Sequence, residues 1–222
     1  MNEAEEVQSY NSAAVARHLH AIDDTFVEHL LRLFPIREMV NGSRWGLDVG
    51  TGPAQISIKI LRQIPGLKII GLDRSPNMLA CARQNAERAQ LTDRLLLLRA
   101  DGCSLPFPNG MFSIVCCNSV LHHVREPRRL LQEIFRVAAP DAAVLLRDLR
   151  RPARPLLRWH LWRHGRHYQG LMRRLFEDSV RAAYTLDELE AFLRDTRLSD
   201  ATAFSFRSAH IGIARSARRS RT

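Results

Sequence analysis

Residues 47–60 read LDVGTGPAQISIKI, and this stretch decides the fold. Leu47, Asp48 and Val49 have the character of the end of a buried strand. Gly50-Thr51-Gly52-Pro53 is a tight turn, and Ala54 to Ile60 can open a helix. Two missing β-carbons, at Gly50 and Gly52, let backbone N–H groups approach a ligand at the helix's positive end. Asp48 adds a carboxylate where a cationic ligand group can sit. A dinucleotide fingerprint calls for G-x-G-x-x-G with a pyrophosphate over the helix. Here the sixth position holds Gln55, and an acid precedes the first glycine. Both departures favour a ligand bearing an ammonium group over one bearing a pyrophosphate.

Outward from the turn, Pro65-Gly66 ends the first helix and Leu67 to Leu72 is a short apolar run fit for a parallel strand. Asp73 stands at its carboxyl tip, 23 residues past Gly50, within reach for a carboxylate that holds ribose hydroxyls. Ser75 caps the next helix with Pro76 in its first turn. Arg94 to Ala100 reads as strand three, ending in Asp101-Gly102. Phe112 to Cys117 reads as strand four, ending in Asn118-Ser119. A helix follows over about 127–139, and strand five over Ala142 to Leu146. Ala201–Phe206 and His210–Arg215 read as two closing strands with an antiparallel end. Strands alternating with helices predict an α/β, doubly wound parallel sheet whose ligands bind beyond the strands' carboxyl ends. Asp48, Asp73, Asp101 and Asn118 all fall at such ends.

Before strand one, Val15, Leu19, Ile22, Phe26, Leu30 and Leu33 recur at helical spacing, so residues 1–44 form an N-terminal helical cap that packs on the sheet from outside. Residues 45–215 form the main domain, with a basic helical insertion over about 154–184, and 216–222 a disordered basic tail. Of the chain's 222 residues, 45% are hydrophobic, enough for a sizeable core. No run approaches a membrane span, and the acidic opening is no secretory signal. Four cysteines without a C-x-x-C pair point to cytoplasmic thiols. The net charge of +10 is almost all arginine; Lys59 and Lys68 are the only lysines. Residues 147–181 concentrate ten arginines against three acids.

With these residues in place, LDVGTGPA (47–54), IIGLDRSPNML (69–79), RADGCSLPFPNGMFSIVCCNSVLHHV (99–124) and EIFRVAAP (133–140) together resemble the class I S-adenosylmethionine-dependent methyltransferases. The likeness is strongest to the small-molecule branch that includes quinone-biosynthesis C-methyltransferases, and it covers roughly Trp45 to Leu149. It implies a Rossmann-like sheet of about seven strands, mostly parallel with an antiparallel C-terminal strand, and S-adenosyl-L-methionine as cofactor. Asp48, Gly50, Thr51 and Gly52 would surround the methionine part. Asp73, with Arg74 and Met78 beside it, would hold the ribose, Asp101-Gly102 the adenine edge, and Asn118 would line the cofactor near its transferable methyl. The usual third glycine is Ala54 here, and the usual Pro-Gly-Gly before strand five is Pro140-Asp141-Ala142.

Donor and acceptor must be held in line and kept dry, and a base is needed only if the acceptor loses a proton. His122 and His123 are the candidates for that base; they can equally orient a substrate or pack the next helix. Adjacent helical residues do not share a face, so they are no metal pair. Tyr10 is placed to close over the site or to lie on the surface. Trp159, in the 154–184 insertion, is a candidate substrate contact. That insertion admits three readings: a lid on the acceptor pocket, a basic face for a membrane or lipid-like substrate, or a nucleic-acid surface. The expected activity is methyl transfer to a small-molecule or lipid-like acceptor. A nucleic-acid methyltransferase or a non-catalytic cofactor-binding subunit are the alternatives; a Pro-Pro-aromatic turn after strand four and a Pro-Cys nucleophile are both absent.

Overall fold

A computed structural model describes residues 13–34, 44–196, 198 and 200–217, with side chains from residue 19 onward. Tyr10, the turn at 41–43 and residues 218–222 lie outside the described residues. Helix α1 (Ala13–Leu33) precedes β1 (Arg44–Val49), α2 (Gln55–Gln63), β2 (Leu67–Asp73), α3 (Pro76–Arg88), β3 (Leu95–Arg99) and β4 (Phe112–Asn118). Then come α4 (Pro127–Val137), β5 (Ala138–Leu149), α5 (Leu157–Gly165), α6 (Gly170–Ala182), α7 (Leu186–Thr196), β6 (Thr202–Phe206) and β7 (His210–Arg215).

The seven strands lie in the order β3-β2-β1-β4-β5-β7-β6. The first five are parallel, and β7 runs antiparallel between β5 and β6. The chain winds one way from β1 to β3 and the other way from β4 onward. The switch therefore falls between β1 and β4, where such sheets open a crevice at their carboxyl edge. Strand β5 is longer than the apolar run 142–146: it continues through Arg147 and Asp148, paired with Gly212 and Ile211 of β7.

Strand alternation sorts the core into two layers. Leu47, Val115, Cys117, Val144 and Leu146 face α4 and α7, against Leu130, Ile134, Leu189 and Phe192. Ile69, Ile114, Cys116, Ala143 and Leu145 face the other way, against Phe26 and Leu30 of α1, Ile60 of α2 and Ala82 of α3. Each such fully buried aliphatic side chain contributes about 1.5–3 kcal/mol, so Leu130→Ala would cost about 2–5 kcal/mol. Helix α3 starts where Ser75 Oγ accepts from the Met78 N–H at 3.3 Å. A reciprocal Thr185–Glu188 capping box starts α7. Beyond β7, the Ala217 N–H donates to Leu33 O at 2.9 Å and ties the end of the sheet to α1.

Candidate active site

The glycine turn is built for shape more than for free donors. The Gly50 and Thr51 N–H groups both donate to Leu72 O, at 2.7 and 2.9 Å, and the Gly52 N–H donates to Asp73 Oδ2 at 2.9 Å. These N–H groups, expected to meet a ligand, instead lock the turn to β2. Gly50 has φ +72°, and a β-carbon there would overlap Val120 Cγ2. Gly52 has φ +53° and open space where its β-carbon would stand, so a ligand can lie against the bare backbone. Ala54 also adopts a left-handed φ of 62°, a conformation that glycine would take at less cost.

Asp48 differs from its sequence reading. Its carboxylate is buried under the turn, where Oδ2 accepts from the Thr51 hydroxyl (2.8 Å) and the Ser57 hydroxyl (2.6 Å). The Cys116 thiol lies 3.5 Å from Oδ1. Burial raises its pKa, and the three side-chain hydrogen bonds work in the opposite direction. The residue braces the turn from below and does not face a cationic group from the crevice. Its parity explains this: Asp48 pairs with Gly71 and Cys116 and points into a layer closed by α2.

Asp73 does stand at the crevice. Its two oxygens each accept one backbone N–H, from Ser75 (2.8 Å) and Gly52 (2.9 Å), which fixes the carboxylate and leaves a further lone pair on each oxygen. Met78, buried in the first turn of α3, lies beside it. Asp101 is half exposed, accepts from the Cys103 N–H at 2.9 Å and lies 4.0 Å from the Arg74 guanidinium. Gly102 is obligatory, because a β-carbon would press on Leu130 Cδ1 and Val49 Cγ1 at 2.9 and 3.0 Å.

At the tip of β4, Asn118 Oδ1 accepts from Arg147 Nε at 3.4 Å, and Ser119 takes a left-handed φ of 58°. The 3-10 turn Leu121–His123 follows. His122 is the buried member of the histidine pair: its Nδ1 lies 2.6 Å from Asp148 Oδ1, and its backbone N–H donates to Asp148 Oδ2 at 3.2 Å. The carboxylate can only accept, so Nδ1 carries the proton and Nε2 is the nitrogen left for chemistry. His123 stacks on it with ring centroids 3.9 Å apart and is exposed. Helix α6 packs over this turn.

Asp148 and Arg147 are functional-grade residues that the sequence reading missed, since it ended strand five at Leu146. The available signal was two charged residues directly after an apolar strand. Alternation sends them to opposite layers: Asp148 to His122, and Arg147 to α1. The fully buried Arg147 guanidinium donates to Thr25 Oγ1 and Ile22 O, both at 2.8 Å. It also lies between the rings of Phe26 and Phe206, at 5.0 and 5.3 Å. Burial pushes its pKa down to about 10, and Asp23 works against that shift.

In the insertion, Trp159 is 54% exposed. Helical periodicity turns His160, Leu161 and Gly165 inward instead. The His160 ring lies 4.5 Å from that of His164, and His160 Nε2 is buried without a hydrogen-bond partner. Burial holds His160 down at about 4 and His210 at about 3. Among the described residues no group of three His, Cys, Asp or Glu side chains is arranged to hold a metal ion.

This arrangement has known counterparts. A family model described as a methyltransferase domain matches residues 47–146. Over those residues the chain is similar to methyltransferase domains. The cofactor that goes with such a domain is S-adenosylmethionine. The demethylmenaquinone methyltransferase of Thermus thermophilus is 33% identical over 106 residues, 48% of this chain and 47% of that protein. The ubiquinone/menaquinone biosynthesis C-methyltransferase UbiE of Syntrophotalea carbinolica is 28% identical over 167 residues, 75% of this chain and 70% of that protein. The chain thus spans about half the length of the first curated relatives it matches. Among solved structures, the plantazolicin methyltransferase BpumL superposes with a TM-score of 0.68 at 16% identity, covering 97% of this chain and 90% of that one, which is a likeness of fold. The match ends at Leu146, so Arg147, Asp148 and the α5–α6 insertion lie outside the matched segment.

Proposed function

We propose that the protein is a methyltransferase that passes a methyl group from S-adenosylmethionine to a small, lipid-like acceptor of the quinone or phenol class. The single observation that carries the catalytic part is the buried His122–Asp148 pair beside the tip of β4. The relatives named above methylate quinone precursors by their names, and that supports the acceptor class.

The residues present fit the cofactor. The bare face of Gly52 and the fixed carboxylate of Asp73 leave room and acceptors where a nucleoside would lie. In this reading Gly50, Thr51, Gly52 and Asn118 hold the amino-acid end, with Asp48 setting the turn beneath them. Asp73 and Met78 hold the ribose, and Asp101, Gly102 and Arg74 the adenine side. The bound cofactor supplies a methyl group already activated by its sulfonium. His122 takes the proton of the acceptor's hydroxyl at Nε2, and Asp148 holds the imidazole in the correct tautomer and stabilises its cation. Helices α5 and α6 exclude water over that step. Free thiols at Cys81, Cys103, Cys116 and Cys117 support a cytoplasmic setting.

Calorimetric titration with S-adenosylmethionine, S-adenosylhomocysteine and NAD tests the reading. Micromolar binding of the first two with none for NAD is expected. Binding of NAD, or of none of the three, overturns it.

A further inference from the structure

The outward face of α5 is built unlike an ordinary solvent face. At about 100° per residue, the outward arc through α5 and its flanking residues runs Arg158, Trp162, Arg166, Trp159, the half-buried Arg163 and Leu156, so aromatic or aliphatic groups alternate with guanidinium groups. Leu156, Trp159 and Trp162 are 56, 54 and 61% exposed. Two tryptophans on one short helix, with Leu156 just before it, exceed the scattered exposure of an ordinary surface. The charge is one-sided as well. From Leu149 to Phe176 the sequence has eight arginines and no acidic residue. Among the described residues none of Arg154, Arg158, Arg163 and Arg166 pairs with a carboxylate.

We propose that this face seats the protein on an anionic lipid surface, with Trp159, Trp162 and Leu156 entering the headgroup layer and Arg158, Arg163 and Arg166 meeting lipid phosphates. Tryptophan prefers the headgroup level, where its ring is half wet, and arginine reaches phosphate while its stem stays in apolar surroundings. A second copy of this chain is a poor occupant, because a two-fold contact would set arginine against arginine. Single-stranded nucleic acid is served by a groove that tracks its backbone, and α5 presents a convex ridge. The opposite face of the same helix carries His160 and Leu161 inward. The helix thereby stands between a lipid surface and the site where a lipid-like acceptor would react. The inference extends that acceptor reading, but its test needs neither cofactor nor turnover, so the two fail separately.

The test is flotation of the purified full chain with vesicles of phosphatidylcholine alone or mixed with phosphatidylglycerol, with tryptophan fluorescence recorded in parallel. Binding to the anionic vesicles only, weakened by salt and accompanied by a blue shift, is expected. R158Q/R163Q/R166Q should weaken it about a hundredfold, and W159S/W162S about tenfold while abolishing the shift. Apart from the half-buried Arg163 the side chains changed are exposed, and unchanged circular dichroism checks the folding of both variants. Three results overturn the proposal: no vesicle binding by the parent chain, binding that both variants retain, or an RNA oligonucleotide that competes the protein off the vesicles. A dimer in solution that W159S/W162S dissolves would also overturn it, by assigning the face to a second copy.

Discussion

The two halves of the carboxyl edge are made differently. Around β1–β3, the cofactor side, the carboxylates are held mainly by the glycine turn and the first turns of the helices that follow. Asp48 is satisfied by Thr51 and Ser57, and Asp73 by Gly52 and Ser75. Around the end of β5, the acceptor side, Arg147 is joined across more than a hundred residues to α1, and Asp148 to the turn after β4. Arg147 reaches Ile22 and Thr25, and Asp148 reaches His122. His160 Nε2 is left unpaired. A constant ligand needs a fixed cradle that local hydrogen bonds can build. The acceptor side also draws on a segment far away in the chain, α1.

The largest expected effect separates the two halves. His122→Ala and Asp148→Asn should each lower kcat about a hundredfold to ten-thousandfold, with S-adenosylmethionine affinity unchanged in calorimetry. If affinity for the cofactor falls in step with kcat, the pair supports the cofactor cradle and the division between the halves breaks.

Next is Arg147→Met. It strips the donor from Thr25 Oγ1, Ile22 O and Asn118 Oδ1 and the cation from between Phe26 and Phe206. Leaving those acceptors buried should cost about 3 kcal/mol in urea denaturation, with faster hydrogen exchange in α1. Asp23, held at about 6 by burial against the pull of Lys59 and Arg147, should titrate higher still. On the cofactor side, Asp73→Ala should weaken S-adenosylmethionine binding at least about tenfold, the loss of a hydrogen bond to a charged group. Unchanged affinity in a folded protein would remove Asp73 from the ribose.

The same contrast explains what could be read from the chain alone. The glycine turn, Asp73 at its distance from Gly50 and the strand–helix alternation are local patterns, and the sheet followed from them. Asp48 kept its place at the strand tip, but its orientation depended on the hydroxyls of Thr51 and Ser57, which no spacing rule reports. Trp159 was named as a substrate contact from its segment alone, and it lies exposed on the outer side of α5. Arg147 and Asp148 were invisible for a different reason. Charged residues normally end a buried strand, and only the pairing of β7 with β5 and the covering α1 make a buried arginine tolerable.

The smallest expected effect asks whether the acceptor half is unfinished without its ligand. Burial lowers the folded pKa of His160 to about 4, below the ordinary 6.5. A histidine kept neutral by the fold contributes stability that is present above about pH 6.5 and is lost as pH falls toward 4. The melting temperature should therefore drop across that window, with His210 adding to the fall. His160→Leu removes both the titration and the unpartnered Nε2. It should raise stability at neutral pH by about 1 kcal/mol and flatten the fall below pH 6.5 by roughly one proton's share. Acceptor kinetics then decide the meaning. A stabilised variant whose acceptor KM rises while its cofactor affinity holds would make His160 a donor or acceptor reserved for the substrate, with its unsatisfied nitrogen as the cost of that readiness. A stabilised variant with unchanged KM would make it a packing residue, and the acceptor's polar contacts would fall to His122 alone.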